Sequence, residues 1–195
     1  MKNIAVIIIL SSLMINAFGQ NEDSTKHFNN ALELTVGKLY SPYRYFRNYD
    51  AFESINISYT HDFSENIGLS FTQGYGRMFD ENTNSRAFVI PTNINVYARI
   101  FKIKDFNVRL SLGTGVEQIH IKCLYDFYPI DSHFYGIPAR LESAFIYDIN
   151  KKFSIIFNAV AKYSFLFNNE NSLFADKYYY QTWFLSTSVG MSYRF

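Results

Sequence analysis

The sequence has little cysteine, proline or glycine: one Cys, four Pro and nine Gly among 195 residues. Because Cys123 has no second cysteine to pair with, an internal disulfide framework is excluded. Charge of one sign is not in excess either, since 18 basic residues balance 17 acidic residues. Nucleic-acid binding needs a basic stripe that neutralises phosphates. We therefore expect no nucleic-acid partner.

Long hydrophobic runs are also missing after the N-terminus. Residues 4–10 are apolar, follow the charged Lys2 and precede a small-x-small sequence at residues 17–19. This order is typical of a cleaved secretory signal, and the run is shorter than the roughly 20 residues of a transmembrane helix. We predict a signal peptide at residues 1–19 and one mature domain at residues 20–195. A lipoprotein is not expected, because no cysteine lies at the cleavage site.

Aromatic residues, in contrast, are abundant, with 20 Phe and 16 Tyr. Soluble domains seldom need so many, whereas a barrel in lipid carries aromatic girdles at both membrane interfaces. Removal of the signal also removes Lys2, which leaves 17 basic and 17 acidic residues and a formal charge of zero. Without a disulfide, the stability of the fold must come from closure of the barrel and from packing.

Apolar and polar residues alternate with a period of two along the mature chain, which predicts strands with one apolar face. The clearest early case is residues 53–63, where Ile55, Ile57 and Tyr59 alternate with Asn56 and Ser58. Seven further segments behave alike, at residues 31–40, 67–76, 88–100, 106–117, 139–148, 153–165 and 183–195.

The connections between these segments alternate in length. Short turns at residues 64–66, 102–105 and 150–152 are separated by longer connections at residues 41–51, 79–85, 118–136 and 168–181. Membrane barrels place short turns in the periplasm and long loops outside. We predict an all-β fold, an eight-stranded antiparallel up-and-down transmembrane β-barrel with both termini periplasmic.

Alternation alone does not say whether the apolar faces contact lipid or fill a soluble lipocalin-like barrel. The polar faces are rich in Gly and Ser, which suit a narrow lumen, and the apolar faces hold more aromatics than a small interior accommodates. We therefore predict apolar faces toward lipid and a neutral, interlocked charge network in the lumen that conducts ions poorly. Its members are Glu33, Arg99, Arg109, Glu117, Arg140, Glu142, Asp148 and Lys162.

The C-terminus supports the lipid-facing interpretation. Val189, Met191, Tyr193 and Phe195 share one face, and the chain stops on the aromatic residue. This pattern looks like the terminal signal that the barrel-assembly machinery recognises in outer-membrane proteins. We expect that machinery to be a partner.

Two hairpin segments and two Ile-Pro pairs extend the resemblance. Residues 59–69 and 147–155 read as strand, short turn and strand, and Ile-Pro stands at residues 90–91 and 137–138. In these features the chain resembles the eight-stranded outer-membrane barrel families of the OmpA-membrane-domain or small porin-family type, particularly those of Bacteroidetes. The resemblance implies a Gram-negative outer membrane, contact with its lipid and lipopolysaccharide, and no cofactor. No peptidoglycan-binding domain follows the strands, so wall anchoring is not expected.

Three residues fit this pattern poorly. Pro91 removes a backbone donor where a closed barrel has no free edge, so a bulge or frayed strand end is expected there. Gln73 and Lys38 lie on nominal lipid faces, which predicts positions near the outer interface where long polar side chains snorkel.

A lipid A deacylase is the enzymatic alternative, because barrels of that class use a Ser, a His and a carboxylate near the outer leaflet. His120 and the sequence Asp131-Ser132-His133, in the longest predicted loop, supply these residue types. The His-x-Ser strand segment of that family is missing, so we interpret the stretch as a polar loop and expect no catalytic residue.

No metal or phosphate site is expected either. The four histidines lie on different elements without ligand spacing, and the paired glycines alternate along strands instead of opening helices. These residues are His27, His61, His120, His133, Gly74, Gly76, Gly113 and Gly115.

The predicted external loops carry the remaining functional signal, since aromatic residues and cations are mixed there. Such a composition can bind a sugar, lipopolysaccharide or a protein, and it also fits an interfacial girdle. We hypothesise a non-enzymatic barrel with a structural, adhesive or surface-interaction role toward a protein or glycan ligand; a small pore and the lipid A hydrolase are the alternatives. The loop aromatics are Tyr43, Tyr45, Tyr49, Tyr178, Tyr179 and Tyr180.

Overall fold

The computed structural model describes residues 29–40, 52–80, 85–124, 129–168 and 180–195. The predicted signal peptide lies outside these residues. Within them, no helix is long and apolar enough to cross a membrane. Eight strands are formed: β1 (Asn30–Tyr40), β2 (Phe52–Asp62), β3 (Ile67–Asp80), β4 (Ser85–Ile103), β5 (Phe106–Leu124), β6 (Pro129–Asp148), β7 (Phe153–Asn168) and β8 (Tyr180–Arg194).

The strands close into a barrel in simple chain order. Each strand pairs antiparallel with the next, and β1 pairs with β8, where Ala31 lies opposite Arg194 and Leu39 opposite Ser186. Closure leaves no edge strand, so each strand is hydrogen-bonded to a neighbouring strand on both sides. The predicted fold class is confirmed.

Three short turns define one end of the barrel, which we call the turn end. In the first, the Phe63 and Ser64 amides donate to the Ile67 carbonyl at 3.0 and 3.1 Å. In the second, Lys104 adopts the left-handed conformation with φ 50°. The opposite end, the loop end, leads into residues 41–51, 81–84, 125–128 and 169–179, which lie outside the described residues.

The outward faces are apolar over the middle of the barrel. Leu112 and Val116 on β5 are 67% and 60% exposed, whereas the inward-facing Glu117 and Asn93 are fully buried. In a soluble barrel the apolar residues point inward and the polar residues point outward. This arrangement fits an outer surface in hydrocarbon and a polar interior.

Three of the four long connections predicted from the sequence are shorter in the structure, and the one at residues 168–181 is reduced to residues 169–179. β5 continues to Leu124 and β6 starts at Pro129, so most of residues 118–136 is paired strand and not loop. Ser132 lies opposite Ile121 and His133 opposite His120. The loop interpretation is wrong because polar residues at outward positions continue these strands and do not end them. Similarly, β3 and β4 narrow the connection at residues 79–85 to residues 81–84.

Pro91 interrupts a ladder without shifting its register. On the β3 side, pairing stops after Gln73–Thr92 and resumes at Gly76–Val89 in the same register, so the predicted bulge is absent there. The register shift of this strand lies instead between Arg99 and Phe101. The Gln73 amide nitrogen donates to the Pro91 carbonyl at 3.2 Å, and its oxygen accepts from the Thr92 hydroxyl at 2.8 Å. Gln73 therefore bonds to the neighbouring strand instead of snorkelling, whereas Lys38 is exposed near the loop end.

Candidate functional site: a closed lumen

A buried cluster of ion pairs crosses the centre of the lumen. Arg109 on β5 donates to both carboxylate oxygens of Glu33 on β1, at 2.7 and 2.9 Å. Arg109 also lies 3.9 Å from Glu142 on β6, which accepts from Arg140 at 2.6 Å. Strands β1 and β5 stand on opposite sides of an eight-stranded barrel, so the Arg109–Glu33 pair spans the interior.

An aromatic ring supports this pair from the turn end. The Arg109 guanidinium lies 4.9 Å from the ring centroid of Tyr97, within cation–π range. The Tyr97 hydroxyl donates to Asp62 at 2.5 Å, and Arg99 binds the same carboxylate at 2.6 and 2.8 Å. The ring fits because residue 68 is glycine: a Cβ there would lie 2.4 Å from Tyr97 ring atoms.

The rim of the turn end carries a further ion pair beside a small apolar cluster. Arg194 binds Asp148 at 2.6 Å, and the Ser154 hydroxyl donates to the same carboxylate at 2.7 Å. Ile146 and Ile156 are buried inside the barrel next to this pair, together with Ala144.

A second charged layer lies nearer the loop end. Lys162 on β7 donates to Glu117 on β5, and both side chains are almost fully buried. The Lys162 ammonium also lies 4.4 Å from the ring centroid of Phe184 on β8. The two strands are separated only by β6, so this pair passes in front of the inner face of that strand.

Beyond Lys162, the lumen is filled by an apolar cluster, which we call the apolar plug. Its side chains come from six of the eight strands, and its buried members expose 9% of their surface or less. Apolar side chains in this position exclude water and ions from the path. The members are Leu39, Ala87, Val89, Ile119, Leu166 and Phe184, with Ile121 and Phe134 packed against them.

A small polar cavity lies between the plug and the Arg109 cluster. Its volume is about 40 Å3, which has room for roughly three waters. Lys162, Glu142 and Phe184 line it together with Asn158, whose amide oxygen has no partner among the described residues. The cavity is too small for an organic ligand, since pockets for such ligands occupy roughly 300 Å3 or more.

The structure brings the charged residues predicted from the sequence together inside the barrel, but it divides them into separate groups. Arg109, Glu33, Glu142 and Arg140 form one cluster, and Lys162 and Glu117 a second. The other two, Arg99 and Asp148, pair with residues that sequence reasoning missed, namely Asp62 and Arg194.

The remaining sequence candidates lie elsewhere. Val189, Met191, Tyr193 and Phe195 continue the outward face of β8 and its end, with Tyr193 and Phe195 stacked at a centroid distance of 6.2 Å. Tyr180 starts β8. The other loop aromatics, Tyr43, Tyr45, Tyr49, Tyr178 and Tyr179, lie outside the described residues.

The histidines of the enzymatic alternative are on the outside of the barrel. The rings of His120 and His133 stack with centroids 4.0 Å apart and planes 15° apart, on neighbouring strands. Across residues 29–195, leaving out the undescribed connections, no group of three or more His, Cys, Asp or Glu side chains could hold a metal ion.

No protein-family model matches the sequence, and a search of curated proteins finds no match. Among solved structures, the chain is similar to the attachment invasion locus protein Ail of Yersinia pestis, with 13% identity over 85% of this chain and 96% of that chain, at a TM-score of 0.55. A major outer membrane protein of Thermus thermophilus aligns at 9% identity over 85% and 99% of the two chains, at a TM-score of 0.52. Neisserial surface protein A aligns at 13% identity over 85% and 96%, at a TM-score of 0.51. At these identities the likeness shows the fold: the chain is a closed, eight-stranded transmembrane β-barrel of the kind found in bacterial outer membranes.

Proposed function

We propose that this protein is a non-conducting, non-enzymatic outer-membrane barrel that acts through the surface at its loop end. One observation carries the proposal: buried ion pairs and an apolar cluster occupy the described part of the lumen at successive depths. A channel or transporter needs a continuous polar path, whereas the cavity between these layers has a volume of only about 40 Å3.

Each filling blocks ions for a different reason. The Arg109–Glu33 and Lys162–Glu117 pairs hold charges that are already neutralised, so a passing ion would have to displace a buried partner. The apolar plug adds a stretch without any group that could replace the hydration shell of an ion. Because the interior is closed, we assign the function of the barrel to its outer loops.

The structural neighbours support a surface role. Ail is described as an attachment invasion locus protein, and the Neisserial protein as a surface protein. In this chain, residues 40–49 contain four Tyr, one Phe and two Arg, a composition suited to binding a protein or a glycan. Our proposal therefore includes a structural or adhesive role toward such a ligand.

The location and maturation of the chain belong to the same proposal. We take residues 1–19 as a cleaved signal, both termini as periplasmic, and the chain as a small porin-family or OmpA-membrane-domain-like barrel. Support comes from the apolar run at residues 4–10 and from the hairpins at residues 59–69 and 147–155. The start of β1 and the end of β8 also lie side by side at the turn end.

Planar-bilayer recording tests the closed lumen. The unmodified barrel should give no steady conductance, with insertion verified by heat-modifiable gel mobility. Phe184→Ala should stay closed as well, because the ion-pair layers beneath the plug remain, and the outward-facing Leu185→Ala serves as its matched control. Large, steady open-channel currents from the unmodified protein would favour the small-pore alternative.

The same preparation tests the enzymatic alternative. We expect lipid A incubated with the barrel to keep its acyl chains, because the His-x-Ser strand segment of the deacylase family is missing from the sequence. Acyl release that disappears in Ser132→Ala or His133→Ala would replace our proposal with a hydrolase.

A further inference from the structure

Two histidines meet on the outer surface of the barrel, near its loop end. His120 on β5 lies directly opposite His133 on β6 in the strand register. Their imidazole rings stack with centroids 4.0 Å apart and planes 15° apart. His133 is exposed and His120 is partly exposed. We expected no metal site because the histidines lie on different elements, but strand pairing brings two of them side by side.

The pair is reached from the aqueous medium on the loop side. Outward residues of β5 are apolar at Leu112 and Val116 and polar from Gln118 onward. Inward residues change in the opposite sense, since Glu117 is followed by the buried Ile119. An outward face turns polar where it leaves hydrocarbon, so both imidazoles lie beyond the apolar band. Ions dissolved in the medium can therefore contact them.

The sheet holds both imidazoles in place. Directly opposed residues of antiparallel strands have Cβ atoms roughly 5 Å apart. The neighbouring rung is paired as well, with Gln118 opposite Tyr135. On the other side of β5, Phe88 of β4 lies opposite His120, and the two ring centroids are 6.2 Å apart. Nitrogen ligands on strands held in this way lose little conformational freedom when they bind an ion.

We propose that His120 and His133 form a binding site for a divalent transition-metal ion such as Zn²⁺, Ni²⁺ or Cu²⁺. Imidazole nitrogens are among the ligands that suit these ions. A zinc–nitrogen bond is about 2.0–2.1 Å long, so two nitrogens on one ion lie roughly 3 Å apart. Directly opposed side chains reach this spacing when the stacked rings tilt toward each other. The other coordination positions remain open to water or to a donor from an external molecule.

The number of ligands distinguishes this site from a resident metal centre. Structural zinc sites have four protein ligands and catalytic sites three. Within the described ranges, no group of three or more His, Cys, Asp or Glu side chains could hold a metal ion. A pair of imidazoles therefore holds an ion that exchanges with the medium and that the barrel does not need for folding.

Nearby charges indicate that nitrogen coordination, and not a general attraction of cations, holds the ion. On the next rung Lys122 lies opposite Asp131, and Arg86 of β4 lies opposite Lys122. Two cations and one carboxylate do not attract a divalent cation electrostatically. Because Mg²⁺ and Ca²⁺ prefer oxygen ligands, we expect neither to bind at the pair.

Isothermal titration calorimetry of the folded, untagged barrel in detergent tests the site with each metal ion alone. We expect one ion per barrel, with Cu²⁺ bound more tightly than Ni²⁺ or Zn²⁺ and no binding of Mg²⁺ or Ca²⁺. Electron paramagnetic resonance of the Cu²⁺ form should show two nitrogen ligands. Since an imidazole binds a metal only in its neutral form, the affinity should fall as the pH is lowered.

Single-histidine variants locate the ion. His120→Ala and His133→Ala should each weaken Cu²⁺ binding on the order of 100-fold, since loss of a group that only orients a metal ligand already costs roughly 10- to 100-fold. His61→Ala is the matched control and should bind like the unmodified protein, because His61 lies at the turn end, hydrogen-bonded to Asn30 at 2.7 Å. All variants are first shown to be folded by heat-modifiable mobility.

Several outcomes would overturn the proposal. No binding of Cu²⁺, Ni²⁺ or Zn²⁺ by the unmodified barrel would leave the pair as a stacking contact only. Equal affinities of His133→Ala and His61→Ala would show that the pair is not the site. Binding that is lost in His27→Ala and kept in both pair variants would place the ion on the N-terminal segment. None of these outcomes depends on whether the lumen conducts or on which ligand the outer loops bind.

Discussion

Replacing Arg109 with alanine should destabilise the barrel strongly, because it removes one partner of a buried ion pair. Its guanidinium makes two hydrogen bonds to Glu33, lies 3.9 Å from Glu142 and stacks on Tyr97. The substitution leaves Glu142 with Arg140, but it leaves the Glu33 carboxylate buried without a charged partner among the described residues. Breaking such a pair from one side typically costs about 3–5 kcal/mol.

Burial sets this magnitude, and a second pair in the same lumen provides the comparison. The side chains of Arg109 and Glu33 are 4% and 5% exposed, whereas those of Arg99 and Asp62 are 21% and 19% exposed. Water therefore reaches the Arg99 pair, although its contact is equally short at 2.6 Å. Arg99→Ala should cost about 1 kcal/mol, at the upper end of the range for ion pairs that water reaches.

Urea unfolding in lipid vesicles, followed by gel mobility of unboiled samples, measures the free energy of unfolding. Arg109→Leu combined with Glu33→Leu removes both charges and should recover most of the stability lost in Arg109→Ala, since an apolar replacement of a buried pair is often near neutral. A loss below about 1 kcal/mol for Arg109→Ala would refute the reasoning, because it would mean that the Glu33 carboxylate stays in the lumen without a charged partner at little cost. A double variant as unstable as the single one would show that packing and not charge is responsible.

Two further substitutions test packing and assembly. Gly68→Ala should lower the free energy of unfolding by about 1–3 kcal/mol, because the added Cβ would overlap the Tyr97 side chain. The loss should be smaller in a Tyr97→Ala background. Equal losses in both backgrounds would assign the cost to the His61 carbonyl, which lies 2.5 Å from the same Cβ. Phe195→Asp should strongly reduce the amount of heat-modifiable, membrane-embedded protein, since we expect the terminal aromatic residue to be recognised during insertion. Arg194→Lys is the control. Wild-type levels from Phe195→Asp would contradict the assembly-signal hypothesis.

The strands were predictable because lipid and lumen impose opposite polarity on alternate residues. Wherever a strand has hydrocarbon on one side and the polar lumen on the other, as from Leu110 to Val116, the sequence alternates and the facing of each residue follows. The charged lumen residues follow from the same rule, because Glu33 and Arg109 stand at polar positions between apolar ones. The partners in space do not follow, since Glu33 and Arg109 are 76 residues apart and closure alone brings them together.

Asp62 and Arg194 were missed for a local reason. Each lies at the last residue of its strand, where the alternation ends and an isolated charge looks like part of a turn. The contacts of Asp62 with Arg99 and Tyr97 depend on the strand β4, which passes the end of β2 at the turn end. Charges at strand ends opposite an inward cation are therefore candidates for a lumen network.

The apolar plug comes from the part of the strands where the alternation of polar and apolar residues fails. Adjacent apolar residues such as Phe165-Leu166-Phe167 and Trp183-Phe184-Leu185 break the alternation near the loop end, and on β5 the pattern reverses its phase at Ile119. Loss of alternation suggests a loop, but a reversal of phase has a different physical meaning. Above the hydrocarbon the outer surface meets water, so a strand that continues must bury apolar residues inward and expose polar residues outward, as an ordinary soluble barrel does. The reversal thus marks the membrane boundary along a continuous strand. It explains why Ile119 and Ile121 lie inside the barrel while Gln118 and Lys122 lie outside at the same level.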